Sequence, residues 1–261
     1  MRRRQTLILL LAGPAALLGR PRGAAGDRLP GPGGAGEVRG AVEAYVARLT
    51  GVITDLTIRQ TLTLYHPDGR HPQSTAEQRL FIKAPRRQRL EQVIEGQREV
   101  RLAVGDRTWV RRGDGAVVEA PAGQRAPAHL IAPFRRTADD LLAEWAALGV
   151  RTDLAAPARF RGRPVTVIGA RPGDLTVPAV WLDPEYGPVR VVTRERRGAG
   201  EMVLDLTLGE HRPLAAGAFF PYRQELFADG RLLFVIVVRE AAANTGLADA
   251  LFDPEALRRG A

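Results

Sequence analysis

Two close pairs of carboxylates and four histidines are the side chains of this 261-residue chain best suited to moving protons or holding a metal ion. Asp139 and Asp140 form one pair, and Asp183 and Glu185 the other, within Leu182-Asp183-Pro184-Glu185-Tyr186-Gly187. Paired acids can divide general-acid and general-base work when their surroundings separate their pKa values. Both pairs have a plainer reading. Thr137-Ala138-Asp139-Asp140 opens a helix in the capping-box manner, with acids favouring the N-terminal dipole, and the second pair is a turn by composition. His66, His71, His129 and His211 stand singly in turns and loops, and no carboxylate pair near His66 and His71 completes a metal site. The chain has no cysteine, which removes disulfides, thiolate metal sites, thiol nucleophiles and a lipid-acceptor cysteine. No nucleophile elbow, phosphate loop or metal-ligand helix occurs. The expectation is a protein without bond-making chemistry, cofactor or metal.

What remains is surface chemistry. From Val52 to Val110, Leu56, Ile58, Leu62 and Leu64 share one parity, while Asp55, Thr57, Arg59, Thr61 and Thr63 share the other. Strand side chains alternate between faces with a period of two, so this is a sheet with one apolar and one polar face. Leu80 and Ile82, then Val100, Leu102 and Val104, continue the alternation across turns at His66-Pro67-Asp68-Gly69, Ala84-Pro85 and Gly105-Asp106. Consecutive antiparallel strands in a meander are predicted over this stretch. Strands resume at residues 164–170, 177–182, 188–194 and 201–208, and a hairpin joins 222–227 to 231–239 across Ala228-Asp229-Gly230. Trp109, Trp145, Trp181, Phe219, Phe220, Tyr222, Phe227 and Phe234 are read as core or cavity lining.

Two helices frame these strands. Val38, Val42, Tyr45, Val46 and Leu49 are helically spaced within residues 37–49, and Leu141, Leu142, Trp145 and Leu148 form a stripe that ends at Gly149. A helix that interrupts a sheet protein in mid-chain is expected to pack on the sheet's apolar face.

Met1-Arg2-Arg3-Arg4, an apolar run from Leu7 to Leu18 and Gly23-Ala24-Ala25-Gly26 describe a secretory signal peptide over residues 1–25, too short to span a bilayer. Residues 26–36 are read as a Gly/Pro-rich linker, 37–256 as one domain and 257–261 as a tail. The net charge is +9, and of the 38 basic residues only Lys83 is lysine. Arginines spread along the whole chain read as solvated surface, with an anionic membrane or anionic partner as the alternative, and export argues against nucleic acid as a partner.

Arg79-Leu80-Phe81-Ile82-Lys83-Ala84-Pro85, then Arg89-Leu90-Glu91, then Gly105-Asp106-Arg107-Thr108-Trp109-Val110 resemble the LolA-like family of periplasmic outer-membrane lipoprotein carriers. The opening helix, the mid-chain helix and the closing Leu251-Phe252-Asp253-Pro254 also fall where that family places its own. The resemblance implies a mainly β fold, an unclosed antiparallel half-barrel of about eleven strands with an N-terminal helix and lid helices over a concave apolar face. It implies acyl chains of a lipoprotein or lipid as cargo, an inner-membrane transporter and an outer-membrane acceptor as partners, and a monomer in the periplasm. The lining expected for such a cavity is Leu56, Ile58, Leu62, Leu64, Leu80, Ile82, Val100, Leu102 and Trp109, with Leu141, Leu142 and Trp145 from the lid. Burying one acyl chain is worth on the order of 10 kcal/mol gross, at ~0.8 kcal/mol per methylene, before the cost of opening and ordering. One position departs from the pattern. The family's carriers place a lid-latching arginine immediately before the proline, and here that residue is Ala84, which leaves Arg86 and Arg87 as the candidates for the role. An envelope sensor on the same half-barrel is the alternative. Such sensors carry a further C-terminal domain, whereas the sequence ends at Ala261.

Overall fold

The computed structural model describes residues 34–49, 52–120, 137–197, 200–215 and 217–259. The predicted signal peptide, most of the predicted linker and residues 126–135 lie outside these. Among the described residues thirteen strands form one antiparallel sheet: β1 (Asp55–Tyr65), β2 (Pro72–Lys83), β3 (Arg87–Ile94), β4 (Gln97–Val104), β5 (Arg107–Arg112), β6 (Val118–Ala120), β7 (Ala155–Phe160), β8 (Arg163–Ile168), β9 (Ala179–Asp183), β10 (Gly187–Arg197), β11 (Gly200–Ala215), β12 (Ala218–Ala228) and β13 (Arg231–Ala243). Their spatial order is β6-β5-β4-β3-β2-β1-β13-β12-β11-β10-β9-β8-β7. The first and last strands therefore pair in mid-sheet, while β6 and β7 are its two edges, so the sheet curls without closing. Short turns dictate the meander. Glu95-Gly96 and Asp229-Gly230 hold both residues at positive φ, the type I′ geometry whose twist matches that of the flanking strands.

The predicted half-barrel is present, with two strands more than expected. Ala155–Phe160 escaped the reading because Ala-Ala-Pro-Ala-Arg-Phe lacks β-branched residues and carries a proline. That proline is tolerated because β7 is an edge strand.

The described residues also hold three helices: α1 (Ala35–Leu49), α2 (Ala138–Ala147) and α3 (Pro254–Arg259), the last preceded by a 3-10 turn over Asp249–Phe252. Helix α1 starts two residues before the expected boundary, inside the stretch read as linker. It buries the predicted stripe Val38, Val42, Tyr45, Val46 and Leu49. Helix α2 opens with the predicted capping box, in which the Asp140 N–H donates to Thr137 Oγ1 at 3.1 Å and the Thr137 N–H donates to Asp140 Oδ2 at 3.0 Å. Leu257, which the sequence reading placed in a tail, is fully buried, so the packed domain runs past residue 256. No described helix is long and apolar enough to cross a membrane.

Candidate ligand-binding face

Register makes the inner face of the sheet. Strand pairing lines up Leu64, Phe234, Leu226, Leu206, Val191, Val180, Ile168 and Ala155 as one row of apolar side chains from β1 to β7. Neighbouring strands lie ~4.8 Å apart, so the row is about 34 Å long. A second rung on the same face carries Ile58, Leu80 and Leu90, and a third pairs Leu56 with Ile82. Helices α1 and α2 cover the β7 side of this face, packed on each other and, through α1, on β7. Trp145 is 1% exposed and Leu141 2%. Tyr45 packs directly on Gly187 at the β9–β10 turn: a Cβ there would stand 2.3 Å from the tyrosine ring. Arg39 of α1 donates to Asp139 of α2 at 2.5 Å, tying the two helices at their exposed side.

Nine of the twelve expected lining residues meet in this one cluster: Leu56, Ile58, Leu62, Leu64, Leu80, Ile82, Leu141, Leu142 and Trp145. Leu62, Leu64, Ile82 and Leu142 are half-buried, as are Leu204, Tyr222 and Ile236 on the same face. The inner face is therefore sealed beneath the helices and partly open along a leucine-rich rim.

Val100, Leu102 and Trp109 are placed elsewhere. Through the β2–β3–β4–β5 register, Ile82 and Leu80 share a face with Gln88, Leu90, Ala103, Arg101, Thr108 and Val110, which puts Val100, Leu102 and Trp109 on the outer face. There they form a separate core with Phe252 and Leu257. The C-terminal segment covers them as a strap. Asp55, 3% exposed, accepts from the Thr245 N–H at 2.7 Å and the Gly246 N–H at 3.1 Å. Lys83 donates to Leu247 O at 2.5 Å and Asp249 Oδ1 at 2.6 Å, Arg87 donates to Asp249 at 2.7 Å, and Arg89 and Arg111 donate to Leu251 O and Leu257 O. The chain's one lysine thus reaches under the strap, where a compact ammonium fits two oxygens.

Ala84 points the other way, into the inner core at 6% exposed. Arg86 instead donates to Asp106 at 2.6 Å and Arg87 joins the outer strap, so these contacts hold both candidate latches outside the inner core.

One feature of the inner face went unread. Gln60 Nε2 donates to Gln78 Oε1 at 2.7 Å, Gln78 Nε2 to Gln92 Oε1 at 2.7 Å, and Gln92 Nε2 to Glu99 Oε1 at 2.9 Å. Arg101 and Arg112 close the row on Glu99, each at 2.7 Å. Burial alone would raise the Glu99 carboxyl, but these two guanidiniums and Gln92 hold it below the usual carboxylate range. The signal was present: Gln60, Gln78 and Gln92 fall in phase with apolar neighbours, where an unpartnered amide would be costly.

The residues first weighed for chemistry have structural duties. Asp139 binds Arg39 and Asp140 caps α2. Asp183 is fully buried; burial would raise its carboxyl, but Arg163 and the N–H groups of Tyr186 and Glu185 bring it below the usual range. Glu185 accepts from the same arginine at 2.7 Å. His71 pairs with Asp68 at 2.6 Å, and His129 lies outside the described residues. His211 stacks on Tyr186 with ring centroids 4.5 Å apart. No cluster of three or more metal-ligating side chains occurs among the described residues.

No family model matches the sequence, and no curated protein matches it. Solved structures do. A domain described as outer-membrane lipoprotein-sorting, from Vibrio parahaemolyticus, is 16% identical with a TM-score of 0.54, covering 86% of this chain and all of its own. A DUF1329 family protein from Desulfovibrio piger is 13% identical with a TM-score of 0.57, covering 86% of this chain and 99% of its own. A LolA superfamily protein from Nitrosomonas europaea is 10% identical with a TM-score of 0.52, covering 85% of this chain and 98% of its own. At such identities the likeness is one of fold, and the fold is LolA-like.

Proposed function

We propose that this protein is a periplasmic carrier that shields the acyl chains of a lipoprotein or lipid on its inner face and ferries them toward the outer membrane. The observation that carries the reading is the half-exposed leucine rim, Leu62, Leu64, Leu204 and Ile236, continuous with a sealed apolar row. Contiguous apolar surface left partly open on a sheet whose other residues bury efficiently marks a binding site for apolar matter. The likeness to a lipoprotein-sorting domain supports the same cargo class. Export through the segment at residues 1–25, loading from an inner-membrane transporter, delivery to an outer-membrane acceptor and a monomeric carrier complete the proposal. The lining assigned to the cargo is Leu56, Ile58, Leu62, Leu64, Leu80 and Ile82 from the sheet, with Leu141, Leu142 and Trp145 from α2.

The test is to purify the mature protein from cells, extract it with organic solvent, and titrate the delipidated protein with the fluorescent fatty acid cis-parinaric acid. Co-purifying acyl lipid and saturable fluorescence enhancement are expected. A protein that yields no lipid and binds no fatty acid is not an acyl carrier.

A further inference from the structure

The row Gln60-Gln78-Gln92-Glu99 crosses the inner face on the side away from β7, and this placement bears on what kind of acyl ligand the face takes. Its three glutamines are 6%, 7% and 8% exposed. The rung Ile58-Leu80-Leu90 flanks the row on one side, and Leu62-Ala76-Ile94 flanks it on the other. Four strands contribute, so the row spans about 14 Å at the usual strand spacing. A carrier of pure hydrocarbon has no use for such a line: replacing both partners of a buried hydrogen bond by apolar groups of like shape is close to neutral, so an all-leucine face was physically open to this fold. The amides are also directional. Gln60 and Gln78 each spend one N–H on the next glutamine's carbonyl and Gln92 spends one on the Glu99 carboxylate, and a primary amide has a second N–H to give. Glu99 cannot donate when ionised, and its two oxygens are taken by Gln92, Arg101 and Arg112. The row therefore offers donors, and beyond it lie two guanidiniums against one carboxylate.

We propose that this row is a hydrogen-bonding subsite for the acyl carbonyl of the cargo, so that the face selects chains bearing an ester, amide or carboxylate over bare hydrocarbon. The proposal rests on the acyl-carrier reading and adds to it the part of the cargo that is recognised. The hydrocarbon lies on the leucine rungs to either side, and the carbonyl oxygen accepts from a glutamine N–H. One such bond is worth about tenfold in affinity, by the ordinary net value of a neutral hydrogen bond.

Three pyrene probes delivered from a cyclodextrin reservoir test this: 1-decylpyrene, methyl 10-(1-pyrenyl)decanoate and the corresponding free acid. The ester and the acid are expected to bind the wild-type protein about tenfold more tightly than the hydrocarbon, relative to the reservoir. In the triple variant Gln60→Met, Gln78→Met, Gln92→Met, which removes every amide of the row, the ester is expected to fall to within about twofold of the hydrocarbon, while hydrocarbon binding is kept. Equal binding of hydrocarbon and ester to the wild type overturns the proposal, and this comparison stands even where the triple variant does not fold. Preference for the acid alone, with ester equal to hydrocarbon, assigns the effect to Arg101 and Arg112 and also overturns the amide row. Failure of all three probes to bind removes the carrier reading itself, which separates the two failures.

Discussion

Two leucines of equal type, Leu102 and Leu62, should respond to truncation in opposite ways. Leu102 is fully buried on the outer face beneath Phe252 and Leu257, whereas Leu62 is half-buried on the inner rim. Leu102→Ala removes a core side chain and leaves a cavity between sheet and strap, at a cost of about 2–5 kcal/mol. Against a typical total of about 5–15 kcal/mol this lowers the urea midpoint substantially. Leu62→Ala together with Leu64→Ala removes surface already half in water, at about 1 kcal/mol of stability for each. The same pair loses contact with a bound chain worth roughly 1.5 kcal/mol, or about tenfold in affinity. Urea unfolding followed by tryptophan fluorescence gives the first quantity, and cis-parinaric acid titration without denaturant gives the second. The expected pattern is a large loss of stability with unchanged affinity for Leu102→Ala, and for the pair a smaller loss of stability for each leucine removed together with about tenfold weaker binding. A Leu102→Ala protein of wild-type midpoint and tenfold weaker binding would refute the placement of the two faces.

The strap gives a second prediction. Lys83→Ala removes a donor from both Leu247 O and Asp249, so the Trp109 emission of a variant retaining only that tryptophan should shift to the red as the strap loosens. Asp249 is held below its ordinary carboxylate value chiefly by Lys83 and then by Arg87, so the strap's ionic stabilisation is present at neutral pH and lost as pH falls through that lowered value; quenching of Trp109 against pH reads it. His211 supplies the opposite kind of group: burial first, against the pull of Asp183 and with help from Arg163 and Arg161, brings it down to about 4 from 6.5. The unfolded chain then binds the extra proton first, stability falls as pH drops from 6.5 toward 4, and His211→Phe should flatten a urea-midpoint profile across that window. Finally, Gly187→Ala forces a Cβ into the Tyr45 ring at a residue with φ of 81°, so it should destabilise by several kcal/mol, on the order of 3, and Tyr45→Ala should relieve part of that cost.

The roles of Asp140 and Asp183 were legible in the sequence. Thr137 and Asp140 sit at capping distance in the sequence, and Asp183 lies in a turn composition, so their duties as cap and turn anchor followed from local rules. The stripe of α1 and the hairpin at Asp229-Gly230 were equally local. Strand β7 and the C-terminal strap were not: the first has weak strand chemistry, and the second is held by contacts 146 to 191 residues apart along the chain.

Periodicity told, from residue types alone, that Leu80, Ile82, Val100 and Leu102 stand on the apolar faces of strands and that two amphipathic helices accompany them. Which apolar faces coincide was decided only by tertiary structure. A strand's alternation is the same whichever way it faces, and a shift of one residue in register moves its whole apolar set across the sheet. The pairing of Leu90 with Arg101 and of Arg89 with Leu102 sends the apolar set of β4 outward, to the strap. The same pairing brings Gln60, Gln78, Gln92 and Glu99, scattered over 40 residues, into one hydrogen-bonded line across the face that the leucines made legible.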